Sequence, residues 1–99
     1  MTLTLSLKKK WFDLIKSGVK KEEFRALSEY WVKRLVDKDG NIRKFDRLVF
    51  TLGYPKADDA ERHMVFENPV IEVRTSEHEE WGAEPEATYF VITWSDLKA

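Results

Sequence analysis

The sequence TLTLSLKKKWFDLIKSG, residues 2–18, decides how the fold begins. Leucine occupies every second position of residues 2–7, a pattern that predicts a half-buried strand. Residues 8–17 then place apolar side chains at helical spacing: Trp11, Phe12, Leu14 and Ile15. Gly18 follows where a helix needs a residue in the left-handed conformation. The sequence therefore predicts a strand followed by an amphipathic helix of about three turns.

The rest of the chain predicts one more helix and a set of strands. Ser28 can cap a helix that ends near Val36, with Trp31, Val32 and Leu35 on one face. The polar residues 37–41 predict an exposed turn. Strands are predicted at residues 47–52, 63–66, 70–75 and 88–94, separated by polar loops at 53–62 and 76–86. The fold class is α+β, with two helices near the N-terminus and an antiparallel sheet of about five strands closed into a small barrel.

Composition limits the class of protein. The chain has 99 residues, of which 42% are hydrophobic, enough for one domain spanning residues 1–99. It contains no Cys, which excludes thiol catalysis, thiolate-bound zinc and disulfides. The first residues show neither a signal-peptide core nor a membrane span. We therefore expect a cytoplasmic protein with no membrane partner.

Charge is distributed unevenly along the chain. Residues 1–47 hold 13 Lys and Arg against 7 Asp and Glu, whereas residues 48–99 hold 4 against 11. The two halves either neutralise each other or leave a basic concave patch for a phosphate-bearing ligand. The patch would be formed by Lys8, Lys9, Lys10, Lys20, Lys21 and Arg25. A pI near 6.1 favours a short or single-stranded ligand over long nucleic acid.

The stretch SGVKKEEFR, residues 17–25, contains the pattern G-x-K-x-x-E-x-R at Gly18, Lys20, Glu23 and Arg25. Together with the preceding TLTLSL and WFDLI, with FDRLVFTLGYP at 45–55 and with EWGAEP at 80–85, it resembles the ASCH domain. That domain belongs to the PUA-like β-barrel superfamily, and the likeness is to its small phage-type and bacterial members. The resemblance covers nearly the whole chain. It implies a cleft between helix and barrel that binds RNA or a nucleotide-like small molecule.

The side chains of the motif support this expectation independently. Lys20 and Arg25 offer donors suited to phosphate, and the planar guanidinium can hold two oxygens at once. Glu23 can accept a hydrogen bond from a base amine or a ribose hydroxyl, or take a proton from water. Lys8 completes the basic part of the predicted ligand site. In the alternative interpretation the trio is a salt bridge that fastens the helix to the barrel. Gly18 is assigned to the end of the helix rather than to a phosphate contact.

Aromatic side chains provide the second part of the predicted site. An exposed Tyr54 or Trp81 could stack on a base, which contributes about 1–3 kcal/mol per base in single-strand binders. Packing over the core is the competing interpretation for both rings. Four other aromatic residues are assigned to the core: Trp11, Phe12, Phe24 and Trp31.

A hydrolase is the second candidate function. Some small ASCH-like proteins are amidohydrolases of acylated cytidine that use a Lys, a Thr and a Glu, and Lys20 matches the Lys. Glu23 stands where the Thr would be, so the hydroxyl nucleophile is missing. What remains is attack by water with Glu23 as base and Lys20 as stabiliser, on a modified nucleoside or on RNA. The sequence does not decide whether the chain is an enzyme.

A protein-interaction domain that uses the acidic residues 77–86 is the third candidate function. His63 and His78 lack the spacing of a metal-ligand pair, so we expect no metal site, and no cofactor is implied. The expected partner is RNA or a nucleotide-like small molecule, bound by a monomer.

Overall fold

The computed structural model describes residues 1–95, which group into two compact units with one three-stranded sheet each. The first unit comprises Met1–Lys21, Phe45–Pro69 and the segment from Trp94; the second comprises Glu22–Lys44 and Val70–Thr93. The elements in chain order are β1 (Thr2–Leu7), α1 (Lys9–Lys16), β2 (Glu23–Ala26), α2 (Glu29–Leu35), β3 (Arg47–Leu52), β4 (His63–Glu67), β5 (Val70–Arg74) and β6 (Tyr89–Thr93), with single-turn 3-10 helices at Ala60–Arg62 and Glu79–Trp81.

The first unit is built on the sheet β1-β3-β4. β1 runs parallel to β3, and β3 runs antiparallel to β4. Alternation in β1 buries its three leucines on one face, as the sequence predicts. α1 adds Phe12 and Ile15 to the same unit. The other buried apolar side chains of this core are Leu48, Phe50, Met64 and Phe66.

The end of α1 reverses the chain. Gly18 has φ +83°, a conformation that a residue with a Cβ adopts only at a cost. Its N–H donates to the Ile15 carbonyl, and the N–H groups of Val19 and Lys20 both donate to the carbonyl of Leu14 at 3.0 Å. These bonds supply donors to carbonyl groups that the last turn of the helix would otherwise leave without a hydrogen-bond partner. They also turn the chain so that Lys20 lies back along α1.

The second unit is built on the antiparallel sheet β2-β6-β5. Its central strand β6 buries three consecutive residues, Phe90, Val91 and Ile92, so both faces of this strand are covered. Ser28 caps α2 by accepting a hydrogen bond from the Trp31 N–H at 3.4 Å.

The structure confirms the α+β class and both helices, and it corrects the predicted sheet. The described residues form six strands in two sheets rather than about five in one, and β1–β3 is parallel rather than antiparallel. The sequence between β1 and β3 is long enough for the crossover that a parallel pair requires. Within residues 1–95 neither sheet closes on itself. β2 was missed as a strand because it is only four residues long and carries two charges.

Two of the predicted core aromatics are confirmed and two are not. Phe12 and Phe24 are buried, whereas Trp11 and Trp31 are only half-buried. Val32, predicted to share the apolar face of α2, is 40% exposed. α2 buries only Leu35 fully, and its Tyr30 and Val32 side chains are exposed to solvent.

Candidate functional site

β2 presents the acid and the arginine of the motif on one face of the second sheet. Glu23 lies opposite Ile92, and Arg25 lies opposite Phe90. Because side chains alternate along a strand, Phe24 points to the other face. There it joins a cluster with Ala83 and Val91, against which Trp81 and Tyr89 pack. The alternation of β2 therefore separates a charged face from an apolar one.

Glu23 and Arg25 form a largely buried ion pair. Glu23 is 5% exposed, and its Oε1 accepts the Phe24 N–H at 2.9 Å and lies 3.5 Å from Arg25 Nη1. Arg25 Nη1 also donates to the Phe24 carbonyl at 2.8 Å, and the side chain of Arg25 is 16% exposed. Burial lowers the pKa of Arg25, and the charge of Glu23 opposes that shift. The guanidinium remains charged at neutral pH, and its orientation is fixed by these contacts.

The guanidinium of Arg25 lies over an aromatic ring of α2. Its central carbon is 5.2 Å from the ring centroid of Trp31, within the range of a cation–π contact. Sequence reasoning assigned Trp31 to the core and missed this contact. The sequence does carry a signal for this contact: Trp31 lies in the first turn of a helix that Ser28 caps directly after β2, which places its ring near that strand.

Lys20 lies in the first unit, whereas Glu23 and Arg25 lie in the second. The Lys20 side chain is buried at 1% exposure, with its Nζ 4.2 Å from the ring centroid of Trp11. Lys10 places its ammonium 4.6 Å from the same ring. Lys8 is exposed, and its carbonyl accepts the first backbone bonds of α1. The half-buried Trp11 is therefore a contact surface for two ammonium groups rather than a core residue.

The two aromatic residues predicted to stack on a base differ in exposure. Tyr54 follows β3 and is 96% exposed, as stacking on a ligand requires. Trp81 is half-buried in the short helix Glu79–Trp81, where it stacks on the His78 ring at 3.8 Å and packs against the Phe24 cluster. The environment of Trp81 matches the packing alternative.

A polar network that the sequence did not predict joins Glu22 to the end of β5. Glu22 Oε2 accepts from Arg74 Nη2 at 2.8 Å, and Oε1 accepts from Ser76 Oγ at 2.7 Å. Burial alone would raise the pKa of Glu22, but the hydrogen bonds from Arg74 and Ser76 and the charge of Arg74, with a smaller charge contribution from His78, lower it. Glu22 in turn raises the pKa of Arg74. The network fixes the chain immediately before β2.

The acidic segment predicted as an interaction surface borders a cavity of about 450 Å³. The cavity is lined by Thr75, Ser76, Glu77, Glu79, Pro85 and Glu86. No group of three or more His, Asp or Glu residues among residues 1–95 is arranged to hold a metal ion. The α-helices within residues 1–95 are α1 and α2, and neither is long and apolar enough to cross a membrane.

Comparison of the chain with models of known protein families, with curated proteins and with solved structures found no match.

Proposed function

We propose that the protein binds RNA or a nucleotide-like ligand as a PUA-like ASCH domain, through the face of the second unit formed by Glu23, Arg25 and Trp31. The observation that supports the proposal is the position of the Arg25 guanidinium over the Trp31 ring, with Glu23 buried beside it. A nucleotide offers a phosphate and a flat ring. A guanidinium and an indole held together complement both parts.

The burial of the ion pair supports a role beyond packing. Glu and Arg are almost never buried unless they are paired, and the pair must repay the loss of hydration. Well-packed apolar residues often stabilise a fold as well as a buried ion pair does. A guanidinium already fixed by Glu23 and the Phe24 carbonyl loses little conformational freedom when it binds phosphate. Preorganisation for a ligand is thus a reason to keep this pair.

The proposal is tested by titrating the isotope-labelled protein with uridine and adenosine monophosphates and recording amide and indole NMR shifts. We expect the Trp31 indole N–H and the amides of β2 to shift. Arg25→Met should weaken binding at least about tenfold, because a bond to a charged group is lost. Arg62→Met is the matched control, because Arg62 is an exposed arginine of the first unit whose partner is Asp59.

Lys20→Met is made in parallel, because the motif prediction includes Lys20. Its matched control is Lys16→Met, which removes the same charge from an exposed position of α1. Unfolding of each variant is measured in urea, so that a loss of binding is separated from a loss of fold. If neither nucleotide shifts any resonance at millimolar concentration, or if Arg25→Met binds as tightly as the wild type, the proposed function is wrong.

A further inference from the structure

Arg25 and Trp31 are one end of a continuous row of rings and guanidinium groups. Beyond Trp31 lies Tyr30, whose ring centroid is 4.9 Å away and nearly perpendicular at 77°. The guanidinium carbon of Arg34 lies 3.5 Å from the centroid of the Tyr30 ring. We call this row, formed by Arg25, Trp31, Tyr30 and Arg34, the arginine–aromatic row. It runs from a partly buried arginine on β2 to an exposed arginine on α2.

The outer half of the row is held in place although it lies at the surface. Tyr30 is 53% exposed, and Arg34 is exposed as well. Tyr30 and Arg34 are four residues apart on one helix, so they occupy the same face. Arg34 Nη1 also donates to the Tyr30 carbonyl at 3.3 Å, which orients its guanidinium plane. An exposed ring and an exposed guanidinium are therefore in contact with each other in the absence of a ligand.

A mononucleotide has one base, so it cannot contact both halves of the row by stacking. A single strand presents a base and a phosphate at every step, and bases stack on aromatic rings and on guanidinium planes. The charge of the outer half of the row also fits: Glu23 balances Arg25, but Arg34 is positive, and Glu29, the acid of α2, is paired with Lys33 at 3.3 Å. The row therefore complements a polyanion with flat rings.

We propose that the ligand is a single-stranded RNA, with one nucleotide at Arg25 and Trp31 and the next bases and phosphate on Tyr30 and Arg34. The inference rests on the proposed function, because it extends the same face. It adds that affinity increases with strand length and that α2 binds the additional nucleotides.

The experiment compares uridine monophosphate with hexauridylate, by NMR titration and by fluorescence anisotropy of the labelled hexamer. Tyr30→Leu keeps an apolar side chain but removes the ring, and Tyr30→Phe keeps the ring. We expect Tyr30→Leu to weaken binding of the hexamer by about 5- to 150-fold, which corresponds to the loss of one stacked base. Its affinity for the mononucleotide should be unchanged. Tyr30→Phe should bind the hexamer like the wild type.

Arg34→Gln gives a second readout, the salt dependence of binding, which a purely structural role of Arg34 would not change. Removing one phosphate contact should lower the slope of log affinity against log salt by about 0.7, whereas Tyr30→Leu should not change that slope. Arg62→Gln, an exposed arginine in the first unit, is the control and should leave both affinity and slope unchanged.

The outcomes separate the two proposals. If Arg25→Met abolishes mononucleotide binding but Tyr30→Leu binds the hexamer as the wild type does, the proposed function stands and the arginine–aromatic row is not a strand-binding surface. Equal loss of both ligands in Tyr30→Leu, or loss only together with unfolding, also overturns the inference. Absence of any binding by the wild type overturns both.

Discussion

The Glu22 network provides the sharpest test of how charge stabilises the second unit. Glu22 has a side chain 14% exposed, with Arg74 and Ser76 each donating one hydrogen bond to its carboxylate. Glu22→Gln keeps the shape and removes the charge. Bonds to a charged group contribute about 1.5–3 kcal/mol. Because the Arg74 side chain is 35% exposed, we expect the lower end, about 1.5 kcal/mol, which for a chain of this size lowers the melting temperature by roughly 6–12 °C.

The effect should depend on pH in a defined direction. The pKa of Glu22 is lowered in the folded state from its ordinary value of 4.5. A lowered pKa contributes stability above the unfolded-state pKa and loses that contribution as the pH falls through the folded-state pKa. Urea unfolding followed by Trp fluorescence should therefore show the full difference between wild type and Glu22→Gln at pH 7. The two curves should converge as the pH falls below about 4.5.

The same arginine supplies a matched control. Glu72 lies 3.9 Å from Arg74 Nε, and its side chain is 55% exposed. Glu72→Gln should change the free energy of unfolding by less than about 0.5 kcal/mol, because exposed ion pairs contribute little. A Glu22→Gln protein as stable as the wild type at pH 7, or a stability difference between the two that persists undiminished at pH 2.5, would refute the argument.

Three further substitutions test the packing of the units by urea unfolding. Gly18→Ala should cost about 1–2 kcal/mol from backbone strain alone, since φ is +83° and nothing lies within 4 Å of the added Cβ; an unchanged midpoint would contradict this. Ser28→Ala should cost about 0.5 kcal/mol, the low end for a cap, because its bond to the Trp31 N–H is long at 3.4 Å, and helical circular dichroism at 222 nm should fall slightly. Leu48→Ala should cost about 2–5 kcal/mol, because Leu48 is fully buried at 0% exposure; a cost below 1 kcal/mol would show that this core is loosely packed.

The sequence predicts elements well where one local rule dominates. β1, α1 and α2 follow from the alternation of leucines, from Gly18 and from Ser28, each of which acts over a few residues. The parallel pairing of β1 with β3 depends on a crossover of nearly forty residues, and no local pattern encodes it. The predicted barrel depends in the same way on long-range pairing.

The site was predicted in part, for a related reason. The motif identified Glu23 and Arg25, which lie on one face of β2 with Glu23 Oε1 3.5 Å from Arg25 Nη1. The proposed arginine–aromatic row adds Trp31, Tyr30 and Arg34, which the sequence did not indicate, because an aromatic residue near the start of an amphipathic helix is usually assigned to the core. α2 is only seven residues long and buries Leu35 alone, so its rings are left for other contacts.

Tyr54 and Tyr30 allow exposure to be separated from preorganisation. Tyr54 is 96% exposed and therefore contacts little of the protein, whereas Tyr30 is 53% exposed and lies between Trp31 and Arg34. A ring that is already ordered loses less entropy when a base stacks on it. Tyr30→Leu should therefore weaken hexauridylate binding more than Tyr54→Leu does, as measured by anisotropy at one salt concentration. If Tyr54→Leu has the larger effect, exposure rather than order determines where the base stacks, and the ligand follows the end of β3 instead of α2.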